Sequence, residues 1–143
     1  MPDKIFSYKD LRVFQNAMDA AMKIYELSKK LPSEERFSLT AQMRGASRSV
    51  CSCLAEAWRK RRDKESFIAK LTDSECKACE SQVWIEFARK CHYLDEDICN
   101  DLDSAYDLIL GQLFKMMNEP YKWLVKKQSY QQNDKNHKEK SAA

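Results

Sequence analysis

Residues 34–62, EERFSLTAQMRGASRSVCSCLAEAWRKRR, carry two patterns on one stretch. Leu39, Met43, Ala46, Val50, Cys53 and Ala57 alternate steps of four and three residues, the spacing of an apolar seam on a bundle helix. At about 100° per residue, Arg44, Arg48, Arg59 and Arg62 fall on a stripe nearly opposite that seam. A helix with one apolar face and one cationic face is expected to pack inward along the first and meet a partner along the second.

The rest of the chain agrees with a helical reading. It has 143 residues, enough for one core, with only two Gly and three Pro to punctuate turns. Charged residues make up 33% and helix formers run in long blocks, without an alternating strand pattern. No segment has the roughly 20 apolar residues of a membrane span, and the start, Met1-Pro-Asp-Lys, does not read as a signal peptide. A cytoplasmic protein is expected, with no membrane partner. Its six cysteines are then expected to be reduced and packed in the core.

Charge is segregated along the chain although the net value is only +3. Residues 36–62 hold seven Lys/Arg against one Glu, and residues 63–107 hold five against twelve Asp/Glu. Such blocks can match neighbouring helices, match neighbouring subunits, or present a basic surface to nucleic acid.

Four helices follow from the pattern. The first is expected from a cap between Ser7 and Asp10 to about Leu31, with Leu11, Phe14, Met18, Ala21, Tyr25 and Ser28 inward. Pro32 stops it, and Ser33 is read as the cap of the second, with Glu34 and Glu35 at its positive end. Asp63 or Ser66 starts the third, which carries an unusually small inward row of Leu71, Ser74, Ala78, Ser81, Ile85 and Ala88, flanked by Phe67, Trp84 and Phe87. The fourth follows a turn at Leu94-Asp95, with Ile98, Leu102, Ala105, Ile109, Gln112 and Met116 inward, and ends or kinks at Pro120. Tyr121, Trp123 and Leu124 are expected to fold back on the body. Short connections make the arrangement an all-α, antiparallel up-down-up-down four-helix bundle over residues 1–127. Residues 128–143 are polar and aperiodic, and a disordered tail is expected there.

Arg44, Arg48, Arg59, Lys60, Arg61 and Arg62 are the candidate nucleic-acid contacts, since several cations on one accessible face suit a phosphate backbone. Their alternative role is to pair with Asp73, Glu80 or an adjacent subunit, or, for the last four, to complement a helix C-terminus. Glu56 and Glu80 read as structural carboxylates, with Arg44 or Ser49 as expected partners. Cys51 and Cys53 point about 200° apart on a helix and cannot share a zinc ion; Cys76 and Cys79 share a face but lack converging ligands. Cys91 and His92 diverge as neighbours on a helix, and no Glu-x-x-His pair supports a di-iron site. Neither catalysis, a cofactor nor a metal is expected.

The ordered motifs Asp10-Leu11-x-Val13-Phe14-Gln15, Pro32-x-x-Glu35, Leu39-x-x-Gln42-Met43-Arg44, Ser49-Val50, Ala55-Glu56, Phe67, Glu80 and Tyr93-Leu94 resemble a known family. It is the bacterial four-helix-bundle family first noticed as open reading frames in intervening sequences of large-subunit ribosomal RNA genes. The resemblance implies a helical bundle that forms a homopentamer and has no enzymatic activity. It also extends to the accessory variability determinant of diversity-generating retroelements, which implies a reverse transcriptase and RNA or DNA as partners. The family pattern often has Asn where this chain has Cys53, Gly where it has Ala57, and a second basic residue where it has Gly45. The resulting expectation is a non-enzymatic interaction module with non-specific nucleic-acid affinity, or a protein-binding scaffold whose charges serve only assembly.

Overall fold

The computed structural model describes residues 5–125; the expected tail at 128–143 lies outside the described residues. Four helices appear in order: α1 Arg12–Ser28, α2 Leu39–Arg59, α3 Lys64–Lys90 and α4 Glu96–Asn118. No strand occurs among the described residues, and each helix packs on the next in sequence, with α4 closing on α1. The result is the expected antiparallel four-helix bundle.

The helix starts show which cap signals operate. Ser7 caps a 3-10 turn, Tyr8–Asp10, through a capping box with Asp10, and α1 proper begins after Leu11. Asp63 caps α3, accepting from Ser66 N at 3.2 Å. Ser33 does not cap α2. After Pro32 the chain makes a 3-10 turn, Ser33–Glu35, and α2 starts only after Ser38. The Ser38 hydroxyl donates to Glu35 Oε1 at 2.9 Å rather than accepting from the new helix.

α2 is the central element. Its expected seam is wholly buried, and a second row, Thr40, Ser47, Cys51, Leu54 and Trp58, is buried beside it. One row alone serves one neighbour; two rows let α2 pack on both α1 and α3. The small row of α3 is buried as expected, together with Phe67. Ser74 Oγ donates to Val50 O across the interface at 2.9 Å, a bond that only a small side chain between close backbones can make.

The outer helices depart from the expected register. In α1 the buried row is Val13, Ala17, Ala20, Ala21, Ile24 and Ser28; Met18 is exposed and Phe14 and Tyr25 are only half-buried. In α4 it is Cys99, Leu102, Tyr106, Ile109, Leu113 and Met116, so Ile98, Ala105 and Gln112 sit at the margin. Two apolar rows compete on each helix, and the neighbours decide which is enclosed. Phe87 is also outside, at 52% exposure. Pro120 opens a last 3-10 turn, after which Trp123 and Leu124 pack on the core while Tyr121 faces solvent.

α3 and α4 are latched at one end by Arg89. Its side chain is only 14% exposed, and the guanidinium reaches Glu86 and Asp103 at 3.0 and 2.6 Å, as well as Glu96 and Asn100. Hydrogen bonds to these partners raise the Arg89 pKa, while burial pushes that of Asp103 up despite the nearby cation. Among the described residues no helix is long and apolar enough to cross a membrane.

Candidate interaction surface

The outward strip of α2 meets α1 at a cluster of cations around one ring. Arg44 is held from behind: its Nε donates to Ser28 Oγ at 2.8 Å, and that hydroxyl donates to Tyr25 O at 2.8 Å. Its guanidinium carbon lies 4.9 Å from the Tyr25 ring centroid. Arg48, one turn later, lies 5.8 Å from the same centroid, and Lys29 Nζ of α1 4.6 Å from it. Each cation–ring contact at such a site contributes about 0.5–1 kcal/mol. The two arginines, four residues apart, repel by roughly 0.2–0.5 kcal/mol.

Lys29 has Glu26 at 3.2 Å, but among the described residues no carboxylate lies within ion-pair distance of Arg44 or Arg48. The pairing of these arginines with Asp73 or Glu80 does not form. Asp73 is taken by Lys70 at 3.5 Å and Glu80 by Lys77 at 3.0 Å, each one turn away on α3 itself. A local i,i+3 partner forestalls a longer reach across the bundle.

Nor does the stripe run unbroken to Arg62. α2 ends at Arg59, and Lys60 to Arg62 form the turn into α3. Arg61 folds inward: its guanidinium stacks 3.5 Å from the Trp58 ring centroid, and its Nε donates to Trp58 O at 2.8 Å. Its carbonyl accepts from Val125 N at 3.1 Å, fastening the C-terminal segment. Burial lowers the Arg61 pKa without removing its charge. Arg61 is thus a structural residue, while Arg59, Lys60 and Arg62 remain exposed. From Arg44 to Arg59 the helix rise covers roughly 22 Å, so there are two basic sites rather than one stripe.

Glu56 and Glu80 are structural, with other partners than expected. Glu56 accepts from Lys70 at 2.7 Å, joining α2 to α3, and Glu80 accepts from Lys77 and, at 3.3 Å, from the Trp84 indole. Glu56 is more than half exposed, so its ion pair adds little stability.

Only Cys51, Cys53 and Cys99 are buried; Cys76 and Cys79 are exposed because the interior face of α3 is already filled by Ser74, Ala78 and Ser81, and Cys91 is exposed in the turn that follows the helix. Among the described residues no group of three or more potential ligands converges on a metal position. His92 has a backbone task. At φ 61° it terminates α3, with Tyr93 N bonded to Ala88 O and His92 N to Arg89 O, the paired bonds of a Schellman stop.

α3 has a second apolar row, pointing outward: Thr72, Cys76, Cys79, Val83 and Phe87, all exposed. Val83 and Phe87 expose about half of their surface. The sequence does not single out that row or Lys29, and its periodicity places Tyr25 in the core. The four-residue step from Tyr25 to Lys29 was visible, but assigning Tyr25 to the core concealed it.

The model of the 23S rRNA-intervening sequence protein family matches residues 9–115. The chain belongs to that family. A solved structure similar to it is a protein of unknown function from the S23 ribosomal protein family of Bacteroides thetaiotaomicron VPI-5482, with a TM-score of 0.67 and 22% identity. The match covers 73% of this chain and 97% of that one, and supports the fold alone. No curated protein matches. Cys53 and Ala57 are buried, so the residue types at these two positions bear on packing within the chain rather than on its exposed surface. Gly45 stands on the exposed face of α2, where an added Cβ meets nothing within 4 Å and a second basic residue would fit.

Proposed function

We propose that this chain is a non-enzymatic helical interaction module that assembles with copies of itself, as a homopentamer, and binds nucleic-acid phosphates without reading sequence. The observation that carries the nucleic-acid reading is the Tyr25 cluster. Arg44 and Arg48 stand close together, held by a ring and a hydroxyl, with no carboxylate partner among the described residues. Such an arrangement leaves repulsion that a phosphate would relieve and a guanidinium fork that fits phosphate oxygens. Arg59, Lys60 and Arg62 supply the second contact. The family takes its name from 23S rRNA, which makes RNA the first ligand to test. A reverse transcriptase remains the protein partner suggested by the retroelement resemblance.

Self-assembly is supported by the outward row of α3, whose spacing is that of a bundle seam and whose Val83 and Phe87 are about half exposed. If the charges served assembly alone, RNA would not bind.

Electrophoretic mobility shift across a salt series tests the reading. Wild type should bind RNA at low salt, with an affinity falling steeply as salt rises, and Arg44→Gln with Arg48→Gln should reduce the logarithmic slope by about 1–2. Absence of binding at low salt would sink the nucleic-acid reading and leave the scaffold. Light scattering on the same samples reads the oligomer: a monomer removes the pentamer.

A further inference from the structure

A cavity of about 540 Å³ opens between α1 and α4, at the end of the bundle away from the Tyr25 cluster. Its apolar lining belongs to the core: Leu11, Val13 and Met116 are buried, and Trp123 packs on the same cluster. Arg12 of α1 and Lys115 of α4 also line it. The anions nearby are engaged. Asp10 accepts from the Phe6 and Ser7 amides at 2.8 and 3.0 Å, and Glu119 pairs with Lys122 at 3.0 Å. Arg12 and Lys115 have neither an ion pair nor a side-chain hydrogen bond among the described residues.

The volume is that of a small-ligand site, in which an apolar lining supplies affinity and a few polar groups orient the ligand. A neutral apolar molecule would leave the two cations unanswered, and a small hydrophilic anion would leave the apolar wall wet. We propose that the cavity binds a free anionic amphiphile, a carboxylate on a medium-length apolar chain, with the chain along Leu11, Val13, Met116 and Trp123 and the carboxylate between Arg12 and Lys115. The site shares no residue with the proposed nucleic-acid contacts and stands or falls independently of them.

Calorimetric titration of the full chain with monomeric decanoate, and with decanol as its neutral counterpart, tests the proposal. Decanoate should bind, with decanol about ten-fold weaker. Arg12→Gln and Lys115→Gln should each weaken decanoate about ten-fold, the lower range for a charge-assisted hydrogen bond. Both positions are on the surface, and unchanged circular-dichroism melting will show that the variants fold. No binding of decanoate, equal affinity for decanol, or indifference to both substitutions overturns the proposal. Binding only to decanoate-bearing vesicles would make the ligand a membrane surface, and binding only after deletion of residues 1–4 would assign the cavity to the chain's own N-terminus; either result also overturns it.

Discussion

Single residues reveal where this bundle is under tension. Tyr106 is wholly buried, and among the described residues its hydroxyl has no hydrogen-bond partner; the Ser81 hydroxyl donates instead to Lys77 O. Burial accordingly raises the phenol's pKa. A buried unsatisfied polar group costs about 1–3 kcal/mol, so Tyr106→Phe should raise the denaturation midpoint by a comparable free energy. Chemical denaturation checks this, and a loss of stability would show that the hydroxyl has a partner, such as a buried water. Cys51 gives a pH dependence. Burial pushes its thiol up to about 11, so the folded state favours the neutral form. The stability gained from keeping it neutral is complete below the ordinary thiol pKa near 8.5 and is lost as pH rises through about 11. Denaturation between pH 8 and 11 should therefore show a fall that is shallower in Cys51→Ala. At neutral pH a thiol reagent should modify Cys91 rapidly and the buried Cys51, Cys53 and Cys99 only on unfolding, while protection of Cys76 and Cys79 in the assembled protein would mark the outward row of α3 as the subunit contact.

At the scale of the element, α3 is distinguished by a buried row of small residues and, among its exposed charges, the half-exposed Val83 and Phe87. Its inner row is small because α2 approaches closely, which the Ser74 bond to Val50 O records. Ala78 is fully buried in that row, and Ala78→Leu should force the helices apart at a cost of about 1–3 kcal/mol. Thermal melting reads the loss; an unchanged melting temperature would mean that α2 and α3 can separate without cost. The same helix shows why legibility varied. The rows of α2 and α3 could be read from sequence because small and large residues left one consistent inward face. In α1 and α4 two rows were about equally apolar, so Met18 and Tyr25 were placed inside where Ala17 and Ile24 belong. Cap signals were similarly ambiguous: Ser7, Ser33, Ser38 and Asp63 all fit by residue type, but Ser38 spends its hydroxyl on Glu35.

In the whole molecule, the antiparallel order redistributes charge that the sequence arranges in blocks. The end of α2, the start of α1 and the end of α4 lie at one pole, which gathers Arg12, Arg59, Lys60, Arg62, Lys115 and Lys122. At the other pole Glu34, Glu35, Asp95, Glu96 and Asp97 cluster around the turns. Among the described residues the acidic segment does not neutralise Arg44 and Arg48; Asp73, Glu80 and Asp103 pair instead with Lys70, Lys77 and Arg89. The sequence by itself determined the number of helices, their order, the seam of α2 and the candidate arginines, because periodicity and turn residues are local properties. Which side of α1 and α4 is enclosed, which arginine turns inward, and the assembly of Tyr25, Lys29, Arg44 and Arg48 into one cluster were decided only by the tertiary structure. They depend on residues of different helices meeting, and the competing rows and partners are equivalent until packing excludes water from one of them.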